Sequence, residues 1–372
     1  MATIDHGKLE VHVIGADEGE SIVLGLPNDE WGVVDCCAGD LSDENTNPTL
    51  RYLRNRGIGR LAFVCMTHPH VDHYRGISQL LTAFNPECFW FPSAMTGSEL
   101  ELILRHELFD AKKSGSLGKT ENARELLKIF GLVKDQKIRS GKPKIPKRAG
   151  TGTSLYPTRA DENAILRISA LAPSTRQAIR YESKLKNCFD ADHRLKSSLE
   201  LSDHNWISMA LLVTFGETRV VLAGDVEENG WNDVLEEIEG ASLSCHAVKI
   251  SHHGSKTGYC DNLWSKFARE RLPISILTPF KRHRLPRQEA IQHIRPFVDR
   301  ISCACLSALD EREFPIPFST SAPVASRAIL HQKLGLQAKP KYATGRCTFV
   351  FDDKGNCTHE EFDGDAGDIP SL

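Results

Sequence analysis

A four-layer αβ/βα sandwich, two mixed sheets back to back with helices outside, is the α/β fold that this sequence predicts. Two observations lead there. Short apolar runs, separated by Gly, Asp and Asn turns and by helical stretches, recur in two successive sets. Histidines and aspartates gather directly after those runs, where strand ends open a crevice between sheet edges.

Taken in order, residues 9–14, 21–26 and 31–36 read as an opening meander of strands. Thr49 to Arg56 reads as a helix ended near Gly57, and Leu61-Ala62-Phe63-Val64-Cys65-Met66 as a buried strand. Asp72 to Phe84 should be a helix and 87–91 a short aromatic strand. Ser98 to Lys112 should be a helix with Glu near its start and Lys at its end, as the helix dipole favours. Strands are expected over 164–172, 207–215, 218–224 and 246–250, and helices over 227–239, 261–271 and 287–298. A final strand pair is expected at 301–306 and 346–351.

The chain has 372 residues, 40% hydrophobic and 26% charged, with a net charge of −3, as in an ordinary soluble enzyme. No run approaches the roughly 18 apolar residues of a spanning helix, and the first residues lack the pattern of a signal peptide. Several of the eleven cysteines (Cys65, Cys303, Cys305, Cys347) fall in apolar strand-like runs, which fits reduced core thiols and a cytoplasmic setting. No CxxC pair exists, which excludes a zinc ribbon, and no Gly-x-Ser-x-Gly elbow, Walker A loop or dinucleotide glycine fingerprint is found. One domain is expected over 1–361, with a basic insertion at about 111–160, followed by a flexible acidic tail over 362–372.

The densest chemical signal is Thr67-His68-Pro69-His70-Val71-Asp72-His73. Imidazole nitrogens beside a carboxylate suit zinc, manganese or iron, and a mixed set with open positions suits catalysis. Further candidates also stand beside apolar runs: Asp225 after 220–224, His252 and His253 after 247–250, and His204 before 207–215.

With these segments in view, the chain resembles the metallo-β-lactamase superfamily, whose signature is a His-x-His-x-Asp-His loop followed by a His, an Asp and a final His. Within it the chain is similar to the hydrolase domain of the DNA-uptake competence family. The likeness spans roughly residues 10 to 260. It also rests on Asp17-Glu18-Gly19-Glu20-Ser21, Val34-Asp35, Asn205-Trp206-Ile207-Ser208, Leu222-Ala223-Gly224-Asp225 and Lys249-Ile250-Ser251-His252-His253-Gly254-Ser255. The resemblance implies two divalent ions, Zn2+ or Mn2+. His68 and His70 would hold one, with His204 as third ligand. Asp72, His73 and His252 would hold the other, and Asp225 would bridge them. His252 is preferred to His253 because it comes first after the strand, which leaves His253 free to protonate a leaving group or contact substrate. Asp35 would orient the metal loop. The chain departs from the family at His73-Tyr74-Arg75-Gly76, where arginine replaces one of two glycines. It departs again at Lys281-Arg282-His283-Arg284-Leu285-Pro286, where leucine stands at a histidine position.

Two such ions can hold a hydroxide between them, so the expected reaction is hydrolysis, with Asp72, Asp225 and His253 as the catalytic residues. The stretch from Ala111 to Arg148 carries twelve Lys or Arg against Glu121, Glu125 and Asp135, and Arg139 to Gly152 reads as a mobile loop. Clustered cations gain affinity for phosphates by releasing counterions. Nucleic acid or another phosphodiester is therefore the expected substrate, contacted by Ser255, Lys256, Lys281, Arg282 and Arg284. The alternative is a small-molecule hydrolase acting on a cyclic nucleotide, lactone, thioester or lactam, and the least favoured reading is a non-catalytic binding module. No membrane partner is implied; a partner protein and the oligomeric state stay open.

Overall fold

The computed structural model describes residues 7–16, 18–95, 117–135, 146–157, 165–192, 194–197, 201–238, 243–268, 271–314 and 344–369. Their strands form two eight-stranded sheets. In spatial order the first sheet is β15 (Cys357–Gly364), β14 (Thr344–Phe351), β1 (Leu9–Ala16), β2 (Gly19–Gly25), β3 (Trp31–Val34), β4 (Phe63–Cys65), β5 (Cys88–Pro92) and β6 (Lys147–Ala149). The second is β16 (Gly367–Asp368), β13 (Ile301–Cys303), β12 (Ile274–Leu277), β11 (Ala247–Lys249), β10 (Thr218–Leu222), β9 (Ala210–Phe215), β8 (Leu166–Ala172) and β7 (Ser154–Tyr156). β3 to β6 run parallel, as do β10 to β13, so each sheet gathers several strand ends on one edge.

Apolar side chains from both sheets meet in an inner core that includes Val11, Val13, Phe63, Ile168, Val213, Ile276 and Phe349. Strands covered on both faces read as near-continuous apolar runs, as the sequence of β4 and β12 does. Outside the first sheet, Leu50 and Leu53 of helix Pro48–Asn55 and Leu80, Leu81 and Phe84 of helix Ile77–Phe84 form a second core. Outside the second sheet, Trp231 and Val234 pack with Leu263, Trp264 and Phe267. Helices, sheet, sheet, helices: the predicted four layers are present.

Several expectations change. The helix expected over Asp72–Phe84 is two, Val71–Tyr74 and Ile77–Phe84, broken at Gly76 with φ 98°. A Cβ there would lie 2.7 Å from Asn47 Nδ2 and 2.8 Å from Ala38 Cβ, so both the turn and the close approach require glycine. Much of the basic insertion is scaffold. Leu117–Asp135 is a helix whose Leu126, Ile129 and Val133 are buried against the second core. The Glu125 carboxylate accepts from the N–H groups of Gly76 and Ser78 and from Ser78 Oγ, capping the helix that begins at Ile77. Arg75 has a structural use in the segment His73-Tyr74-Arg75-Gly76. It donates to the carbonyls of Ala38 and Gly39 and to Asn122 Oδ1 and Glu121 Oε2, tying the same helix to the metal loop.

The expected mobile loop Arg139–Gly152 ends in a strand, because Lys147–Ala149 completes the first sheet beside β5. Residues 301–306 and 346–351 are not partners: β13 pairs with β12 and β16 in one sheet, β14 with β1 and β15 in the other. The expected flexible tail from 362 is ordered through Ile369, which is buried and donates its N–H to the Ile301 carbonyl. Helix Thr175–Asn187 and strand β12 were not anticipated. The helix expected over Ser98–Lys112 lies outside the described residues. No helix among the described residues is long and apolar enough to cross a membrane.

Candidate metal centre

Most site residues follow directly on a strand; Asp72 and His73 lie on the short helix Val71–Tyr74 after β4, and His204 on the 3-10 helix Leu201–Ile207 that precedes β9. β4 feeds the Thr67–His73 loop, β10 feeds Asp225, β11 feeds His252 and His253, and β12 feeds Thr278. The first loop is held from behind. Asp35, itself at φ 60°, accepts from Thr67 N–H at 2.7 Å, from Thr67 Oγ1 at 2.7 Å and from His73 Nδ1 at 2.7 Å. His68 presents Nδ1 to Thr67 Oγ1 at 3.1 Å and Ser208 Oγ at 3.4 Å, which turns Nε2 towards Asp225. Ser208 Oγ also accepts from the Asp225 N–H at 2.8 Å.

The buried Asp225 carboxylate divides the site. Its Oδ2 lies 3.8 Å from His68 Nε2 and 3.8 Å from His252 Nε2. Its Oδ1 lies 3.4 Å from His73 Nε2 and 3.7 Å from His253 Nε2. Two groups of metal-ligating atoms follow: His68, His70 and Asp225 on one side, Asp72, His73, Asp225 and His253 on the other. His204 stands beside the first group, its ring 5.7 Å from that of His70 and its Nδ1 3.0 Å from Tyr181 Oη.

Of the pair at 252–253, His253 is the one grouped with Asp72, His73 and Asp225, while His252 Nε2 lies 3.8 Å from Asp225 Oδ2. Both residues are left-handed, at φ 47° and 52°, so their rings leave the backbone in different directions. His253 is fully buried, with Nδ1 3.2 Å from Thr278 Oγ1 and 2.9 Å from the Thr278 carbonyl, and Nε2 3.2 Å from Asp72 Oδ2. His252 reaches the surface, with Nδ1 3.4 Å from Glu227 Oε1. Being first after the strand does not decide which ring turns inward; the backbone turn does.

The electrostatics fit a cationic guest. Burial pushes the Asp225 carboxyl up, but His73, His253 and His252 bring it well below the usual range. Burial pulls His73 down, yet Asp225, Asp72 and Asp35 hold it well above its usual value, so the group of acids around it draws positive charge. Burial, with His73 and His70 nearby, drives His68 well below its usual value, and burial with His70 pushes His204 down to about 3. Both are neutral imidazoles at physiological pH, the form that binds metal. His68 Nε2 and Asp225 Oδ1 are buried without a hydrogen-bond partner, as ligand atoms for an ion would be. The residues present therefore fit divalent metal.

The expected substrate contacts separate. Lys281 and Arg282 are exposed on a turn closed by reciprocal backbone bonds between Phe280 and Leu285, and the Phe280 ring lies 5.4 Å from that of His253. Arg284 is on the same turn, 4.0 Å from Asp310. Ser255 caps a local turn by accepting from Gly258 N–H, and Lys256 is ion-paired with Glu289, which commits it to a neighbouring helix. Sequence reasoning assigned no role to Glu20, Glu227, Tyr181 or Thr278, which touch site residues, or to Lys249, which pairs with Glu20. The one available signal was Lys249, a charge inside the apolar run 247–250.

No family model and no curated protein matches the sequence. Solved structures do. A metallo-β-lactamase bound to 2-mercaptoethanesulfonate is 12% identical, over 65% of this chain and 76% of its own, at a TM-score of 0.34. A mutant metallo-β-lactamase from Cronobacter sakazakii is 13% identical, over 89% and 96%, at 0.34. A protein of unknown function from Enterococcus faecalis is 11% identical, over 86% and 72%, at 0.35. Superpositions this loose carry no weight beside the sheet order and the ligand positions. A His-x-His-x-Asp-His loop, a dividing aspartate and a final histidine, each following a strand of a four-layer αβ/βα sandwich, give this chain the metallo-β-lactamase fold, with a His/Asp cluster able to hold metal.

Proposed function

We propose that this chain is a metal-dependent hydrolase of the phosphodiesterase type, acting on nucleic acid with two divalent ions, Zn2+ or Mn2+. The observation that supports this most is the division of the Asp225 carboxylate between two histidine groups. One ion would be held by His68, His70 and Asp225 with His204 alongside, the other by Asp72, His73, Asp225 and His253. Ions bound there would supply an acidified water and a Lewis acid for the phosphoryl group. His252 takes the proton-donor role first given to His253. Burial lowers its pKa, but Asp225 and Glu227 hold it above the ordinary value, and Nε2 is the atom that would carry the proton. Lys281 and Arg282 would contact phosphates at the rim, fixing the register of a strand without reading its sequence.

The test is cleavage of single- and double-stranded DNA and RNA with Mn2+ or Zn2+, wild type against Asp72→Ala/His73→Ala. Cutting by the wild type alone supports the reading. A wild type that takes up two ions and cuts none of the four substrates sinks it.

One observation favours a second reading. Lys147 and Arg148 lie over the rings of Trp90 and Phe91, at 5.1 and 5.9 Å, and helix Leu117–Asp135 is packed into the scaffold. These cations of the basic segment are tied to the fold, and a small substrate such as a cyclic nucleotide or lactone needs no polyanion track. Long nucleic acid gives a steep dependence of binding on salt, a small substrate a shallow one.

A further inference from the structure

Behind the half of the centre that contains His73 and His253 stands a buried ion pair that the proposed chemistry does not use. Glu20 lies on β2 of the first sheet and Lys249 ends β11 of the second, and the two pair directly with neither exposed. Glu20 Oε2 also accepts from Thr278 Oγ1 at 2.5 Å. Its Oε1 lies 3.8 Å from His73 Nδ1 and its Oε2 3.6 Å from His253 Nδ1, behind the rings whose Nε2 atoms face Asp72 and Asp225. Oε1 is buried without a hydrogen-bond partner.

A fully buried charge pair is a weak device for stability, since apolar residues of similar volume commonly serve as well or better. Its location gives another reason for it. Asp72 and His73 come from the first half of the sandwich, Asp225 and His253 from the second, and the pair joins the two sheets directly beneath their junction.

We propose that Glu20 and Lys249 form a positioning clasp that fixes the spacing of His73 and His253 and so sets the metal affinity of that half of the centre. The inference rests on the metal reading above. The Glu20 carboxylate stands 3.6–3.8 Å behind the two imidazoles, whose Nδ1 atoms bond Asp35 and the Thr278 carbonyl, and its negative charge there strengthens both rings as ligands. Lys249 keeps that carboxylate in one place and balances its charge in the dry interior. In the other half, His68 is backed by the neutral hydroxyls of Thr67 and Ser208.

The experiment is titration of the full chain with Zn2+ against a competing chelator, with near-ultraviolet circular dichroism to monitor the fold. Wild type is compared with the neutral pair Glu20→Gln/Lys249→Met and with Glu20→Asp, which keeps the charge but draws it back. The expected neutral pair folds, retains one tight ion and binds the second ~10–100-fold more weakly, and Glu20→Asp weakens the same ion. Two ions at wild-type affinity in a folded neutral pair overturn the clasp and leave the metal reading intact. If the neutral pair fails to fold, Glu20→Asp decides. A weakened second ion supports the clasp, whereas unchanged affinity, or collapse of this variant too, assigns the pair a purely structural role. A wild type that takes up no Zn2+ overturns the metal reading and the clasp together.

Discussion

His73 donates from Nδ1 to the Asp35 carboxylate at 2.7 Å, with both residues fully buried, and this contact leaves Nε2 facing Asp72, Asp225 and His253. A histidine so oriented has its ring direction and its Nδ1 proton fixed before any ion arrives. Asp35→Asn keeps the shape but weakens the acceptor. It should lower metal affinity ~10–100-fold, read by chelator competition; unchanged affinity would show that the Thr67 contacts alone orient the loop.

The exchanged roles of the adjacent histidines give a second prediction. His253→Ala should lose one metal equivalent. His252→Ala should keep both and slow turnover ~10²–10⁴-fold, the usual contribution of a general acid. Metal analysis beside steady-state rates separates them, and loss of an ion from His252→Ala would restore the order expected from sequence.

On the rim, Arg282 is exposed and meets no carboxylate among the described residues, whereas Arg284 has Asp310 nearby. Arg282→Ala should weaken binding of all nucleic-acid sequences alike and reduce the salt slope by about 1. Arg284→Ala should do less. Equal slopes for wild type and Arg282→Ala would remove this turn from the substrate path.

Glu125→Ala strips the acceptor from the N–H groups of Gly76 and Ser78. Leaving buried donors unsatisfied costs about 1–3 kcal/mol. The expected result is a lower denaturation midpoint, and an unchanged one would mean that water replaces the carboxylate.

Stability should also depend on pH through His12, remote from the metal centre. It is fully buried between Glu10, at 2.9 Å, and Thr348, at 3.0 Å, and burial holds its pKa below the ordinary 6.5 despite Glu10. The unfolded chain therefore binds this proton more readily. The stabilisation is complete above about pH 6.5 and is lost as pH falls from there towards the lowered folded value. His12→Gln should flatten that part of the stability profile. A profile as steep as the wild type's would point to other groups.

The metal loop was legible because its ligand types crowd into one short segment, and Asp225 because it follows an unmistakable apolar run. The choice between His252 and His253 was not, since it depends on two successive left-handed residues that no side-chain pattern announces. Glu20 and Lys249 meet only when two sheets close, so neither reveals the other along the chain. In the basic segment the lysines and arginines drew attention to the surface, while Leu126, Ile129 and Val133 carried the evidence for a packed helix. The separation of β13 from β14 is a matter of topology, and two neighbouring apolar runs look alike whether or not they pair.

β1 lies between β2 and β14, matched to the latter from Leu9↔Phe351 to Ala16↔Thr344. On the ribosome, β1 must therefore wait with one edge bare until Thr344–Phe351 has emerged. A nascent fragment ending before 344 would carry an unsatisfied template at the edge of its first sheet, inviting association with other chains. Holding β1 and β14 together in one ladder makes the emergence of Thr344–Phe351 a condition for closing that sheet, and a pairing so distant along the chain favours slow formation.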